Sequence, residues 1–249
     1  MTDRLHEPQF ALHVEDLTVS YDSKPALWDI DVDIPPGVMA AIVGPNGAGK
    51  TTLVNLLSGA LRPARGRILM GGRDVTRAGP AARAQAGLSR SFQVAQLFPT
   101  LTPAESVALA IRARRGWQDA AARAAETEAL LGQFALTEVA DRPAGQLGYG
   151  QQRLVELAIA LAGGPSVLLL DEPAAGLAEA ERHALRATLA ALPRSVSVLL
   201  VEHDMDLVFA FAERIAVMAA GRIIADGPPA AIAADPAVRA VYLGEAADA

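Results

Sequence analysis

The residues Gly44-Pro45-Asn46-Gly47-Ala48-Gly49-Lys50-Thr51-Thr52 fit the pattern G-x-x-x-x-G-K-[ST]. Glycines in such a run let backbone N–H groups converge on phosphate oxygens, and a helix that follows points its positive end at them. Lys50 is then placed to reach the β- and γ-phosphates of a nucleotide, and the Thr51 hydroxyl to coordinate Mg²⁺. A second cluster, Val167-Leu-Leu-Leu-Asp171-Glu172-Pro173, sets two acids directly after four apolar residues. That reads as a buried strand whose carboxylates emerge at the C-terminal edge of a sheet, where open α/β sheets bind ligands. Asp171 is suited to hold Mg²⁺ through water, and Glu172 to polarise an attacking water as general base. Each motif alone has a plainer reading, as a glycine-rich turn or as acids capping a helix. Together they point to phosphoryl chemistry.

Both motifs need an α/β scaffold. Segments 12–21 and 27–34 are rich in Val, Ile, Leu and Thr with polar residues interleaved, which predicts strands, with turns at 22–25 and 35–37. Segment 38–43 is continuously apolar, as in a strand buried on both faces, and 50–57 is the helix start after the glycine-rich loop. Residues 96–165 read as a helical lobe. Pro103 follows Thr102 as a first-turn proline follows an N-cap, and helices are predicted over 117–134 and 151–161. Strand patterns return at 167–170, 196–201, 215–218 and 222–225, with helical patterns between the first three, the sign of a parallel sheet with crossovers. The expected domain spans 10–245. Within it, 10–95 is a β subdomain and phosphate-loop core, 96–165 the inserted helical lobe, 166–229 the rest of the core, and 230–249 a C-terminal tail.

Composition narrows the function. The 249 residues include no cysteine, which excludes disulfide scaffolds, Cys-ligated zinc and thiol nucleophiles. With only four histidines a His-based metal site is not expected, and His6, His13 and His183 belong to no constellation. A net charge of -6 argues against an unspecific nucleic-acid binder, and no nucleic-acid partner is expected. The basic run 112–115 reads as a solvated helix end. Hydrophobic content of 51% is high, yet no run approaches the roughly 20 apolar residues of a spanning helix. The N-terminal residues lack the hydrophobic core of a signal peptide, so a cytoplasmic protein is expected.

Between the two motifs lies Leu147-Gly148-Tyr149-Gly150-Gln151-Gln152-Arg153, which resembles the signature sequence of ATP-binding-cassette (ABC) ATPases, usually L-S-G-G-Q. The resemblance covers residues 11–245 and implies a P-loop (RecA-like) α/β core with a mostly parallel sheet, an N-terminal antiparallel β subdomain and an inserted helical lobe. It implies ATP hydrolysis with Mg²⁺. By the same resemblance Tyr21 matches the aromatic that stacks on adenine, and Gln93 the glutamine-loop residue that touches Mg²⁺ and the attacking water. His203 matches the switch histidine at the γ-phosphate. The plainer alternatives are a surface tyrosine, an ordinary loop glutamine, and a histidine in a turn where Asp204 or Asp206 N-caps the next helix. Gly148, Tyr149, Gly150 and Gln151 would face the nucleotide of an opposite subunit, giving a homo- or heterodimer that ATP closes and hydrolysis opens.

Two departures stand out: Gly148 replaces the signature serine, and Ala178 replaces an aspartate usual in the D-loop. The tyrosine in the signature, Asp171-Glu-Pro-Ala-Ala-Gly-Leu, Glu202-His-Asp-Met205-Asp and the tail Asp235-Pro-Ala-Val-Arg resemble ATPases that serve importers of branched-chain amino acids, urea, small amides and aromatic acids. The resemblance implies transmembrane permease subunits as partners, reached through 93–102, and an extracytoplasmic solute-binding protein acting indirectly. The chain would then sit peripherally on the inner face of the cell membrane. A non-transport ABC ATPase, a lipopolysaccharide-type export ATPase and an ATP-binding switch with little turnover are the other readings.

Overall fold

The computed structural model describes residues 10–21, 24–91, 97–116 and 120–245. In chain order the elements are β1 (Leu12–Tyr21), β2 (Lys24–Ile34), β3 (Met39–Val43), α1 (Lys50–Leu57), β4 (Arg65–Met70), β5 (Arg73–Asp74), α2 (Pro80–Gln85) and β6 (Leu88–Arg90). There follow α3 (Pro103–Arg115), α4 (Ala120–Gln133), α5 (Tyr149–Ala162), β7 (Val167–Asp171), α6 (Glu179–Ala190), β8 (Ser197–Val201) and α7 (Met205–Phe211). The chain closes with β9 (Arg214–Ala219), β10 (Arg222–Gly227), α8 (Pro229–Ala234) and α9 (Pro236–Glu245).

Among the described residues the strands form two sheets. One has four strands in the order β2-β1-β4-β5, paired antiparallel; the other has six in the order β10-β9-β3-β8-β7-β6. In the second, β9, β3, β8, β7 and β6 run parallel, and β10 turns back antiparallel to β9. The architecture is the α/β core with an antiparallel β subdomain and a helical lobe that the sequence predicts.

The continuous apolar runs are explained by two cores on opposite faces of the six-stranded sheet. Side chains alternate across a strand. Ala41 and Val43 of β3, Leu168 and Leu170 of β7 and Leu200 of β8 face the core shared with α3 to α7. Their neighbours Ala40, Ile42, Val167, Leu169, Leu199 and Val201 face the other core, shared with α1 and the antiparallel sheet. A strand covered on both faces has no position for a polar side chain until it ends. Acids at those ends are therefore confined to one edge.

Helix α3 has the predicted Thr102 N-cap and first-turn Pro103. Thr102 Oγ1 accepts from the Glu105 N–H at 3.1 Å, and Glu105 Oε2 accepts from the Thr102 N–H at 2.8 Å, a reciprocal cap with Pro103 in the first turn. Within the lobe Val107, Ile111, Leu131, Leu154 and Leu157 form a continuous core. The basic end of α3 is ion-paired: Arg114 and Arg115 both meet Glu126 of α4.

The sequence reading needs adjustment at several edges. β2 begins at Lys24, so the last two residues of the predicted 22–25 turn are strand, while 22 and 23 lie outside the described residues; Pro25 is tolerated because β2 is an edge strand of its sheet. Helix α5 begins at Tyr149, two residues before the predicted start at 151. α2 and β6 are further elements that the sequence reading did not predict.

Candidate active site

The phosphate-loop motif lies between β3 and α1, on the edge where β3, β8 and β7 end. Gly44 adopts φ 154°, and a Cβ there would lie 2.2 Å from the Met218 carbonyl oxygen of β9. Only a residue without a side chain lets the chain turn away from the sheet at that point. Gly47 has φ 78° at the exposed tip of the loop, with no atom within 4 Å of a built Cβ. The loop closes on itself and on the β9–β10 turn: the Ala48 N–H donates to Pro45 O at 3.2 Å, and the Gly221 N–H to Ala48 O at 3.1 Å. Gly49 caps α1, and Lys50, Thr51 and Thr52 open it, so the first-turn N–H groups face the loop. The Lys50 ammonium is buried and donates to the Gly44 and Pro45 carbonyls at 2.5 and 2.9 Å. It therefore lies folded over the concavity of the loop. The far end of α1 is fixed by Arg83, a fully buried guanidinium that donates to Leu56 O, Leu57 O, Thr76 O and Ala78 O.

Asp171 is the last residue of β7 and is buried. Arg90 of β6 donates to its Oδ2 at 3.2 Å while also bonding Asn55 Oδ1 and Ser58 Oγ of the α1 segment. Burial pushes the Asp171 carboxyl above the ordinary carboxylate range, and the Arg90 charge pulls it partly back. Glu172 follows with φ 48°, a left-handed conformation costing roughly 1–3 kcal/mol for a residue with a Cβ. Its backbone is held from several sides: its N–H donates to Val201 O at 2.8 Å, and its carbonyl accepts from Ala175 N–H at 3.1 Å and Arg153 Nη2 at 3.3 Å. The sharp turn leaves the Glu172 carboxylate beside His203, with Nδ1 to Oε1 at 3.8 Å. The His203 side chain is 66% exposed and free to meet a ligand. Asp204 N-caps α7, its Oδ1 accepting from the Leu207 N–H at 3.1 Å. The capping role foreseen for the acids of this turn is thus filled by Asp204, and the histidine points out.

The signature residues form the start of α5. Gly148 is the N-cap, and Gln151 Oε1 accepts from the Gly148 N–H at 3.2 Å. Tyr149 is exposed and lies over Gly176, whose built Cβ would meet Tyr149 Cε1 at 3.0 Å. Gly150 is covered by the Glu181 carboxylate of α6, which also accepts from the Ala178 N–H at 2.9 Å. Three residues later Arg153, 1% exposed, pairs with Glu156 at 2.7 Å and donates to the Asp171 and Glu172 carbonyls. The Arg153 side chain thereby ties the signature helix to the backbone of the two acids.

Lys50, Thr51, Asp171, Glu172 and His203 are thus carried by adjacent strand ends at one sheet edge. Tyr21 ends β1, and its side chain lies outside the described atoms; Gln93 lies outside the described residues. Arg153 stands inside the signature motif, whose resemblance gives it no role, and no local pattern in the sequence marks Arg83 or Arg90. Glu202, just past the end of β8, is buried.

The protein-family model described as ABC transporter matches residues 27–175. The chain belongs to the ABC transporter ATPases. A second model, the branched-chain amino acid ATP-binding cassette transporter family, matches residues 222–248 of this ABC ATPase. It is 37% identical over 250 residues to the high-affinity branched-chain amino acid transport ATP-binding protein BraF of Pseudomonas aeruginosa, covering 94% of this chain and 98% of that one. It is 35% identical to LivG of Escherichia coli, likewise a branched-chain amino acid transport ATP-binding protein, with the same coverage. The ADP conformation of a solved ABC transporter cassette superimposes with a TM-score of 0.79 at 28% identity, covering 94% of this chain and 98% of that one. A dimeric cassette in a post-hydrolysis state with ADP and Pi gives a TM-score of 0.77 at 26% identity, over 87% of this chain and 98% of that one. This ABC ATPase therefore binds and hydrolyses ATP and is of the branched-chain amino acid importer type. Among the described residues no helix is long and apolar enough to cross a membrane.

Proposed function

We propose that the chain powers uptake of a branched-chain amino acid, or of another amino acid or small amide such as urea, by ATP-driven closure of a dimer. The observation that carries the importer reading is the match to BraF along 94% of the chain, together with the C-terminal model over 222–248. Partners on this reading are a second ABC ATPase subunit, identical or related, and transmembrane permease subunits, with an extracytoplasmic binding protein acting through them. The chain would work at the inner face of the cell membrane. The described part of the proposed permease contact supports it. Pro99 O and Leu101 O accept from the Gly145 and Ala144 N–H groups, pinning the segment to the lobe, while Phe98 remains 68% exposed.

The catalytic reading follows from the sheet edge. Phosphate oxygens of ATP replace the Gly44 and Pro45 carbonyls as partners of the Lys50 ammonium, and the loop amides from Gly47 to Thr52 complete the cradle. Thr51 and Asp171 are the residues that would hold Mg²⁺, with Gln93 from outside the described segments. One hydroxyl and one buried carboxylate are hard oxygen donors of the kind Mg²⁺ takes alongside phosphates, and the ion supplies charge neutralisation at the β- and γ-oxygens. Glu172 orients and deprotonates the attacking water, and His203 donates toward the γ-phosphate. Tyr21 stacks on the adenine. The α5 N-terminus, Gly148 to Gln151, addresses the γ-phosphate of the partner's nucleotide through backbone amides, since Gly148 lacks a hydroxyl.

The test is transport. A strain lacking the chain is assayed for uptake of labelled leucine, valine, phenylalanine and urea. The native chain restores one class of solute and Lys50→Ala restores none. Persistent ATPase activity with no uptake restored for any solute refutes the importer reading.

A further inference from the structure

Glu202 follows directly on the apolar strand β8 and has 0% exposure, yet the proposed catalysis gives it no role. Its carboxylate lies between the two loops that carry Glu172 and His203. Oε1 accepts from the Ala174 N–H at 3.0 Å, in the loop that turns away after Glu172. Oε2 accepts from the N–H groups of His203 at 3.0 Å and Asp204 at 3.3 Å. The Glu202 N–H donates to Ile42 O of β3 at 3.3 Å, which fixes its backbone against the strand that leads into the phosphate loop. The His203 Nδ1 lies 3.8 Å from both Glu202 Oε2 and Glu172 Oε1.

An ionised carboxylate only accepts hydrogen bonds, and here both of its oxygens meet donors that point inward from separate loops. A neutral amide of the same shape has one accepting and one donating end. It satisfies one loop and presents N–H to N–H at the other. A buried backbone N–H left without an acceptor is costly, so the loop on the donating side must move.

We propose that Glu202 is a positioning residue that locks the Glu172 loop to the His203 loop, so that the two side chains meet the γ-phosphate in one fixed relation. The inference rests on the assignment of Glu172 and His203 made above. Glu202 acts through the relation of His203 to Glu172 and touches neither nucleotide nor water itself.

The experiment is a double-mutant cycle on the full chain. Native, Glu202→Gln, Glu202→Asp, His203→Ala and the two double variants are compared for Mg-ATP turnover, ATP affinity and thermal unfolding. Single-turnover phosphate release at high protein concentration keeps the residual rate of His203→Ala measurable. Because displacements of about an ångström can cost a hundredfold, Glu202→Gln is expected to lower kcat by about tenfold to a hundredfold while ATP affinity is held within about twofold. In the His203→Ala background the same substitution is expected to lower the residual rate by less than about twofold. Glu202→Asp keeps the charge but loses reach, and is expected to show the same dependence on His203. Equal losses in both backgrounds overturn the proposal, as does weaker ATP binding with unchanged kcat. If both Glu202 variants fail to fold, the carboxylate is only structural and the proposal falls. If His203→Ala alone turns over at the native rate, the assignment of His203 fails, and this is seen before any Glu202 variant is compared.

Discussion

Alanine at Gly44 and at Gly47 separates what the phosphate loop needs for folding from what it needs for its ligand. At Gly44 a Cβ lies 2.2 Å from the Met218 carbonyl, a main-chain atom of the neighbouring strand that cannot swing aside. The clash adds to the strain of φ 154°, and together these cost about 3–5 kcal/mol. At Gly47 a built Cβ meets nothing within 4 Å, so the cost is the left-handed backbone alone, about 1–2 kcal/mol. In a domain of this size each kcal/mol is about 2–4 °C of Tm. Gly44→Ala is therefore expected to melt about 6–20 °C below the native chain, and Gly47→Ala about 2–8 °C below. Gly47→Ala should nonetheless lose ATP affinity by more than about tenfold, because relaxing φ 78° turns the converging amides away from the phosphates. Calorimetric melting and equilibrium titration with ATP measure the two effects. Equal stability of the two variants, or native ATP affinity in Gly47→Ala, would refute the reasoning.

Three further outcomes follow from the side chains around the site. Arg83→Met removes the bonds from a buried guanidinium to the Leu56, Leu57, Thr76 and Ala78 carbonyls but also relieves its burial, for a net loss of about 2–4 kcal/mol in urea unfolding. A change within about 0.5 kcal/mol contradicts the role given to it at the end of α1. Burial raises the Asp171 carboxyl and Arg90 opposes that shift, so the native chain loses stability as pH rises from the ordinary carboxylate range through the raised value. Arg90→Met should deepen that loss and extend it to higher pH; parallel Tm curves for the two chains between about pH 4 and 8 contradict the assignment. Ala178 occupies the N-cap of α6 with extended backbone but only a methyl group, so Ala178→Asp should add about 0.5–2 kcal/mol to stability, read as a rise in Tm.

What the sequence reveals and what it hides divide along a physical line. The phosphate loop and the acids of β7 are legible because each depends on neighbours in the chain: glycines at fixed spacing, and an apolar run that ends in charge. The two-core sheet is legible because strands covered on both faces read as continuous apolar runs. Arg83 and Arg153 are buried charges that each reach carbonyls brought in by the fold, those of Leu56 and Leu57 for Arg83 and of Asp171 and Glu172 for Arg153, and no local pattern separates them from surface arginines. Helix α2 is not legible because Pro-Ala-Ala-Arg-Ala-Gln carries no apolar period, its buried residue being Arg83. Glu202 does leave a trace, an acid that continues a run of strand residues just before His203, but its role needs the Ala174 loop brought against it by the fold.

On the proposed function, two copies close on ATP and Glu172 then drives hydrolysis. Light scattering and phosphate release on the native chain, Glu172→Gln and Lys50→Ala in Mg-ATP test it together. The expected result is turnover by the native chain, a stable ATP-dependent dimer without turnover for Glu172→Gln, and neither for Lys50→Ala. A Glu172→Gln chain that stays monomeric in ATP, or that hydrolyses ATP at the native rate, would contradict the account.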